Sequence, residues 1–572
     1  MNKLEYWIPA ITQVKQYKRQ YFGADLIAGT ILSIMLIPQG LAYALLAGLP
    51  AEMGLYASIL PLLIYALLGS SRTMAIGPAA LIAMMSASFS SQFAQPGTAE
   101  YNTIAIILAI MSGVILMLLG CLKLGFLANL LSHPVISGFV TGSAIIIAAS
   151  QIKHFLGISV SGASLFEIVE GTINQLEFVN PVSLCIGLSS LAILFLSKRY
   201  FSPILSRLGL PQIHATLISK AGPILVILIF TSITYFFTLA QKGLAVVGTV
   251  PSGLPLLSMP EISFSLMSNL LPAAAILGLV SFIESISISQ AFATQKRQKI
   301  DSNNELIGLG GANVMSGLSG GLAVAGSFSR SAINDEAGAK TQLAGIVSAL
   351  LVLFALYFLT NLFFYMPKAV LAATIFLAVF NLIDLKAITH TWHYSKHDGI
   401  AMIGTLIIVL CFGVETGILA GVCLSILLFL WHTSHPHIAI VGNLSGTEHY
   451  RNVERFEVEV EPHILSLRID ENLFFANCRT LEEKVTQLVS ERPEVQHIVL
   501  MCNAVNMIDI SALESLETMM QRLKAANIYL HFSEIKGPVM DKLKETELIS
   551  HLTGQVFLTQ HQAIEKVKKE YF

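Results

Sequence analysis

The chain has 572 residues, of which 54% are hydrophobic and only 12% are charged, whereas about 25% of the residues of a soluble protein are charged. This composition excludes an ordinary soluble protein and indicates one that lies largely in lipid. The formal net charge of −2 provides no basic face for nucleic acid, so we expect no nucleic-acid partner.

Charge is distributed unevenly along the chain. Residues 1–433 hold 20 Lys/Arg and 16 Asp/Glu, whereas the much shorter remainder holds 14 and 20. This difference predicts a domain in lipid followed by a domain in water. The first 22 residues contain basic side chains but no apolar core, so we expect no cleavable signal. The predicted divisions are a cytoplasmic segment over 1–22, a membrane domain over 23–433, a linker over 434–444 and a polar domain over 445–572.

Neither the cysteines nor the histidines form a pattern typical of a metal site. The cysteines have no CxxC spacing and no partner His at ligand intervals, so we interpret them as packing residues. His435 and His437 follow the last apolar stretch without a second ligand group. The sequence therefore predicts no metal and no other cofactor. The cysteines are Cys121, Cys185, Cys411, Cys423, Cys478 and Cys502.

Fourteen apolar stretches are candidate membrane segments. Two of them, 78–92 and 330–339, fall well short of the ~20 residues that a helix needs to cross ~30 Å of hydrocarbon. We expect these two to be partial helices whose free backbone is buried in protein. The stretches are 24–48, 53–69, 78–92, 103–121, 127–151, 180–197, 222–240, 268–291, 303–321, 330–339, 342–363, 367–383, 399–411 and 413–433.

Basic residues segregate between alternate connections. With a cytoplasmic amino terminus, the cytoplasmic connections contain twelve Lys/Arg and the outer ones only Lys153, Lys242 and Lys368. This satisfies the positive-inside rule and places both termini in the cytoplasm. The twelve are Arg72, Lys123, Lys198, Arg199, Arg207, Lys220, Lys296, Arg297, Lys299, Lys340, Lys386 and Lys396.

Similar landmarks recur in the two halves. Gln39 lies 15 residues into the first half and Glu284 lies 14 into the second, and a Gly-led opening follows each, at Gly77-Pro78-Ala79 and at Gly326. Seven segments per half is an odd number, so the halves would be inverted repeats, an arrangement common in transporters.

Two short helices that begin near mid-membrane would direct their amino termini at each other. Free N–H groups and a partial positive charge at each terminus would bind an anion. The alternative is that the Gly and Pro residues only ease helix packing.

Three motifs resemble the sulfate permease (SulP) family. They are Leu36 to Pro50, which contains Pro38-Gln39-Gly40, then Gly69-Ser70-Ser71-Arg72 leading to Gly77-Pro78, and Gly326 to Asn334 followed by Gly338 to Leu343. The polar tail resembles a STAS domain, so the resemblance covers almost the whole chain. It implies a polytopic α-helical membrane protein of 14 segments in a 7+7 inverted repeat, with core and gate domains, a cytoplasmic α/β STAS domain and a homodimeric assembly.

The resemblance also implies where the anion binds. In the family the anion lies between the third and tenth segments, close to the first. Amide, hydroxyl and backbone N–H groups at those positions can donate hydrogen bonds to it. The corresponding residues here are Gln39, Tyr43, Gly77, Pro78, Ala79, Ser327, Phe328, Ser329, Arg330 and Ser331.

Two charged residues within apolar segments predict the chemistry. Arg330 is the only basic residue that we place inside the membrane, where a charge costs ~2.5–3.5 kcal/mol on the insertion scale. Glu284 lies near the middle of a full-length segment and matches the acid linked to proton coupling in sulfate-type members, or to the cation in sodium-bicarbonate members. The alternatives are that Arg330 only pairs with an acid or with helix carboxyl ends, and that Glu284 only pairs with Arg330.

The tail alternates strands and helices, as a small α/β domain does. We predict strands at Ile464–Ile469 and Ile498–Cys502 and helices at Ser511–Ala526 and Pro538–Lys544. The loop before the first of these helices resembles the phosphate-accepting loop of bacterial anti-sigma-factor antagonists, with Ser511 at the acceptor position. Ile510 and Ala512 depart from that motif, so we interpret Ser511 as a helix N-cap and keep regulatory phosphorylation as an alternative.

These observations predict a secondary transporter of inorganic anions and not an enzyme. Sulfate:proton symport by an elevator-like mechanism in a bacterial inner membrane is the first interpretation. Alternatives are sodium-coupled bicarbonate transport, dicarboxylate transport, an uncoupled anion channel, and a membrane-anchored signalling protein. The expected partners are the anion, a proton or sodium ion, lipid, a second copy of the chain, and a cytoplasmic regulatory protein at the STAS domain.

Overall fold

The computed structural model describes residues 5, 7–126, 132–160, 162, 164–207, 222–253, 257–260, 263–295, 297–380 and 382–571. The chain divides into two compact units, Met1–Ser425 and Ile426–Phe572.

The first half of the first unit is almost entirely helical. Its elements are α1 (Pro9–Lys15), α2 (Tyr21–Leu46), α3 (Ala51–Tyr56), α4 (Leu60–Leu68), β1 (Ile76–Gly77), α5 (Ala80–Ser91), α6 (Ala99–Cys121), α7 (His133–Leu156), α8 (Leu165–Asn174), α9 (Pro181–Leu196), α10 (Ser202–Arg207) and α11 (Gly222–Phe236), with 3-10 turns at Leu176–Phe178 and Leu239–Lys242 and a π turn at Ser197–Phe201.

The second half repeats this pattern of long helices interrupted by one short strand. Its elements are α12 (Phe264–Gln295), α13 (Ser302–Leu318), β2 (Ala325–Gly326), α14 (Phe328–Glu336), α15 (Leu343–Phe358), α16 (Thr360–Phe363), α17 (Lys368–Phe380), α18 (Leu385–Tyr394), α19 (Lys396–Phe412) and α20 (Val414–Ser434), the last of which continues into the second unit.

Within the described residues, each of the fourteen predicted apolar stretches contains helix. In the part of the chain that the structure describes, six helical stretches are long and apolar enough to cross a membrane, and others are apolar but shorter. Ala80–Ser91, with 12 residues, is one of these shorter apolar helices. Phe328–Glu336 is shorter still, with 9 residues, and is more polar.

Side-chain caps define where several of the longer helices begin. Thr98 accepts a hydrogen bond from the Tyr101 amide, and Asp301 accepts from the amides of Asn303 and Asn304. Such caps satisfy N–H groups that have no partner within the helix. Among the described residues, no side chain caps the start of α5 or α14, so these two helices begin differently.

The second unit contains a six-stranded sheet covered by helices. Strand order is β4-β3-β5-β6-β7-β8; β3 pairs antiparallel with β4 and β5, and the remaining neighbours are parallel. The first strand of this unit begins at Ile438, inside the stretch 434–444 that is predicted to be a linker. The elements are β3 (Ile438–Asn443), β4 (Tyr450–Asn452), β5 (Ile464–Ile469), α21 (Cys478–Glu491), β6 (His497–Met501), α22 (Ile510–Ala525), β7 (Tyr529–Ser533), α23 (Gly537–Leu543), α24 (Glu547–Ser550), β8 (Val556–Phe557) and α25 (Gln560–Tyr571).

The interpretation of Ser511 as a helix N-cap is wrong. Asp509 caps α22, because its carboxylate accepts a hydrogen bond of 2.8 Å from the Ala512 amide. The other carboxylate oxygen accepts from the Phe475 amide at 2.9 Å. Ser511 is instead the second residue of the helix and is exposed. The longer, charged Asp509 side chain reaches the amide from one residue before the helix.

We expect Asp509→Ala to destabilise the second unit by about 1 kcal/mol, the usual effect of losing an N-cap. Ser511→Ala is the matched control and should leave stability unchanged. The measurement is the midpoint of denaturant unfolding of the full-length protein, followed by circular dichroism. A larger effect at Ser511 than at Asp509 would contradict the capping assignment.

Candidate anion site

A non-helical stretch between α4 and α5 leads into the first short helix. Backbone that leaves helical geometry within a membrane must find partners inside the protein. The Met74 amide donates to Ser71 Oγ at 3.2 Å within the stretch itself, and further donors come from the second half of the unit. Gln342 Nε2 donates to the carbonyls of Ser71 and Met74 at 2.7 and 3.0 Å, and Asn334 Nδ2 donates to that of Thr73 at 3.0 Å.

The end of this stretch pairs with the corresponding stretch of the second half. The Ala75 amide donates to Ser331 Oγ at 2.9 Å, and the Ala75 carbonyl accepts from the Ser327 amide at 3.1 Å. Ile76 and Gly77 then form an antiparallel pair with Gly326 and Ala325. The two segments pair antiparallel and therefore run in opposite directions, as the inverted repeat requires.

The second non-helical stretch is held by residues of its own half. Asn313 bonds the Val324 carbonyl at 3.0 Å and the Val324 amide at 2.8 Å. Ser316 Oγ donates to the Leu322 carbonyl at 2.5 Å, and the Gly326 amide donates to Ser285 Oγ at 2.8 Å. The two stretches therefore share the strand pair as support but differ in the side chains that bond their backbone.

The two short helices begin directly after this strand pair. Their first intrahelical bonds run from the Ala83 amide to the Ala79 carbonyl and from the Ser331 amide to the Ser327 carbonyl. The preceding amides have no partner within the helix, and no side chain in the described ranges caps either terminus. Both helix dipoles place their positive ends here, which favours a negatively charged ligand.

Arg330 lies in the first turn of α14 with 0% exposure. Its Nη1 donates to the Pro78 carbonyl at 2.7 Å and to Gln39 Oε1 at 3.2 Å. Its Nε and Nη2 are buried and have no hydrogen-bond partner among the described residues. The guanidinium is thus anchored by neutral oxygens on one side and retains two buried donors on the other.

Glu284 lies on α12, one residue before the Ser285 hydroxyl that holds Gly326. Its Oε2 is buried without a hydrogen-bond partner in the described part of the chain. Arg330 and Tyr43 are close enough to interact with it electrostatically. Among the described residues, Arg330 donates its hydrogen bonds to Pro78 and Gln39 and not to Glu284.

The other predicted residues have different surroundings. Ser329 is exposed and its hydroxyl lies 3.2 Å from that of Ser327. Phe328 is 57% exposed, with its ring 5.5 Å from that of Phe292. The Ser331 hydroxyl is buried and accepts from the Ala75 amide, so it supports the strand pair.

Sequence reasoning missed two buried carboxylates beside these elements. Glu305 on α13 is 1% exposed and accepts from Ser70 and Ser71. Asp25 on α2 is 0% exposed and accepts from Lys340 and Thr341. Both lie near helix ends in the sequence, where a charge is ordinarily solvated, so no local signal distinguishes them.

Two family profiles match the chain. The profile described as "Sulfate permease family" covers residues 22–405, and the one described as "STAS domain" covers residues 455–563. The chain belongs to the sulfate permease family. The sequence prediction of that family is therefore confirmed, as is the prediction of a multi-pass helical membrane protein with a STAS domain. The sulfate permease family is a family of transporters, so this member is not an enzyme.

Curated relatives extend over most of the chain. The probable sulfate transporter 4.2 of Arabidopsis thaliana is 35% identical, over 98% of this chain and 84% of its own length. The chloroplastic sulfate transporter 4.1 of the same plant is also 35% identical, over 99% and 80%. The probable sulfate transporter Rv1739c of Mycobacterium tuberculosis is 31% identical, over 98% of both chains.

Solved structures share the fold of this sulfate permease family member. The inward-facing murine Solute Carrier 26 family member A9 anion transporter superposes with a TM-score of 0.89 at 24% identity, covering 99% of this chain and 94% of its own. The transmembrane domain of the cyanobacterial bicarbonate transporter BicA gives 0.59 at 24% identity, covering 72% and 98%.

The geometry around Gly77 provides a test of the site. Gly77 has a φ of +149°, and a Cβ built on it would lie 3.0 Å from Leu36 Cδ1 and 3.5 Å from Arg330 Nη2. Gly77→Ala should therefore push against Leu36 and shift the backbone that presents the Pro78 carbonyl to Arg330, and so raise the KM for the transported anion roughly tenfold, equivalent to about 1.4 kcal/mol.

The matched control for that substitution is Gly248→Ala. Gly248 also has a positive φ, of +88°, but open space surrounds its Cβ position. It should carry the backbone cost without changing the KM, measured by radiolabelled uptake in proteoliposomes. Equal KM values for the two variants would contradict a role for the Gly77 environment in anion binding.

Proposed function

We propose that this protein is a secondary active transporter that takes up an inorganic anion, sulfate in the first place, by symport with a proton. The observation that carries the proposal is the arrangement at Arg330: a buried guanidinium with two unpartnered donors beside two uncapped helix amino termini. The names of the relatives that are 31–35% identical support sulfate as the anion.

The electrostatics favour a small tetrahedral oxyanion. A buried cation without a counter-ion is costly in a membrane, and a bound anion would offset that cost. Backbone N–H groups and a guanidinium edge are the donors that bind sulfate and phosphate oxygens in proteins. Gln39, Tyr43 and Ser329 would add neutral groups around the same ligand.

Glu284 supplies the coupling in this proposal. A carboxyl with a buried, unpartnered oxygen near the same cation can hold a proton while the anion occupies the site. A proton and a divalent anion that enter together leave less net charge to desolvate than the anion alone. Glu284 and Arg330 would then release their cargo together on the inner side.

The remaining parts of the proposal concern movement and assembly. A core domain that carries the two short helices would move against a gate domain in an elevator-like step. The protein would act as a homodimer in a bacterial inner membrane with both termini in the cytoplasm. The STAS domain would bind a cytoplasmic regulatory protein, with Ser511 exposed on its surface as the residue to test for phosphorylation.

The first test is uptake of radiolabelled sulfate by purified protein in proteoliposomes. Arg330→Ala should reduce sulfate affinity by about 10- to 100-fold, since a hydrogen bond to a charged group contributes about 1.5–3 kcal/mol. Gly248→Ala is the control for reconstitution. Wild-type affinity in Arg330→Ala would contradict the site, and bicarbonate or a dicarboxylate competing better than sulfate would contradict the substrate.

The second test concerns coupling. An inward proton gradient should accelerate sulfate uptake by the wild type, whereas Glu284→Gln should show the same rate with and without the gradient, because its amide cannot exchange a proton. Parallel reactions replace the proton gradient with a sodium gradient. Gradient stimulation that survives in Glu284→Gln, or stimulation by sodium alone, would contradict proton coupling at Glu284.

A further inference from the structure

From the contacts of Asp25 and Glu305, we infer that these two buried carboxylates are positioning residues for the anion site. Each lies in one half of the first unit and holds, in the other half, the backbone on one side of a short helix. The inference rests on the proposed function and adds to it two residues that do not touch the anion.

Among the described residues, the Glu305 carboxylate accepts five hydrogen bonds. Its Oε1 accepts from the Ser70 amide at 2.8 Å, the Ser70 hydroxyl at 2.7 Å and the Ser71 amide at 3.0 Å. Its Oε2 accepts from the Tyr65 hydroxyl at 2.8 Å and from the Ser289 hydroxyl at 3.4 Å. Glu305 thereby joins α13 to the start of the non-helical stretch that leads to Gly77 and α5.

Asp25 makes the reciprocal connection. Its Oδ1 accepts from the amides of Lys340 and Thr341 at 2.6 and 3.1 Å, and its Oδ2 accepts from the Thr341 hydroxyl at 2.7 Å. These two residues follow α14, the second short helix. Asp25 lies on α2, the helix that also carries Gln39 and Tyr43, so it fixes one face of the site against the end of the helix that bears Arg330.

This arrangement points to positioning rather than to chemistry at the carboxylates. An acceptor-only carboxylate surrounded by donors is the hydrogen-bonding state of an ionised group, and neither residue takes part in the hydrogen bonds of Arg330. The groups that bind a ligand must be held to within about 0.5 Å of their working positions. The amides of residues 70–71, before α5, and 340–341, after α14, are where the chain next to each short helix is bonded to α13 and to α2. Loss of either carboxylate would leave buried N–H groups without acceptors.

Conservative and truncating variants separate positioning from charge. In Glu305→Gln and Asp25→Asn the remaining carbonyl oxygen can accept from the backbone amides, and the hydroxyls of Tyr65, Ser289 and Thr341 can rotate to accept from the new amide group. We expect these variants to keep the wild-type KM for sulfate. Glu305→Ala and Asp25→Ala should raise it about tenfold, because the amides lose their acceptors.

The matched control is Asp301→Ala. Asp301 lies at the start of the same helix as Glu305, but its carboxylate caps the amides of Asn303 and Asn304. Its removal should weaken that helix and lower the unfolding temperature without changing the KM. Ser70→Ala is a milder variant for the case in which Glu305→Ala does not fold, and it removes one donor to Oε1.

The readout that does not depend on transport is hydrogen–deuterium exchange of the full-length protein, followed by mass spectrometry. Exchange of amides 70–77 should accelerate about tenfold in Glu305→Ala, and that of amides 337–342 in Asp25→Ala, whereas the amide variants and Asp301→Ala should match the wild type there. Unchanged exchange in the Ala variants, or equal damage by the amide and Ala variants, would overturn the inference. If the wild type takes up no anion while exchange changes as expected, the proposed function fails and the positioning contacts stand.

Discussion

A non-helical backbone can lie within hydrocarbon only where protein atoms bond its amides and carbonyls, and the strand pair of Ile76–Gly77 with Ala325–Gly326 is where this protein meets that condition. The pairing lets two helices begin inside the unit with free amino termini. It also brings the Pro78 carbonyl to Arg330. Without the pair, neither the uncapped termini nor the anchored guanidinium would have a place in the fold.

The buried charged side chains around the strand pair also need partners inside the protein. Arg330 would be an expensive residue at depth, yet only one edge of its guanidinium is satisfied, by Pro78 and Gln39. The carboxylates beside the site divide into two kinds. Asp25 and Glu305 are saturated with donors, whereas Glu284 has a buried oxygen without a partner. A saturated carboxylate supports structure, and an incompletely bonded one is available for exchange with a ligand or proton.

The sequence predicts helix location well, because long apolar runs and Gly/Pro interruptions are local signals, and the described residues contain helix at all fourteen stretches. It also singles out Arg330 and Glu284, because a charge inside an apolar run is conspicuous. It does not reveal Glu305 or Asp25, since the backbone amides that they bond lie more than 230 residues away in sequence. At α22, Asp509 and Ser511 are both good capping residues, and only the backbone geometry decides between them.

The two non-helical stretches are bonded by side chains from different parts of the sequence, and this difference has a consequence for biosynthesis. The stretch around Thr73 relies on Asn334 and Gln342, which leave the ribosome more than 250 residues later, whereas the second break is bonded by neighbours such as Asn313 that have already emerged. During translation the backbone around Thr73 therefore lacks these side-chain donors until the second half has emerged. The second half, in contrast, emerges when its first-half partners, Asp25 and the strand Ile76–Gly77, are already made, so the amino-terminal half alone cannot form these bonds.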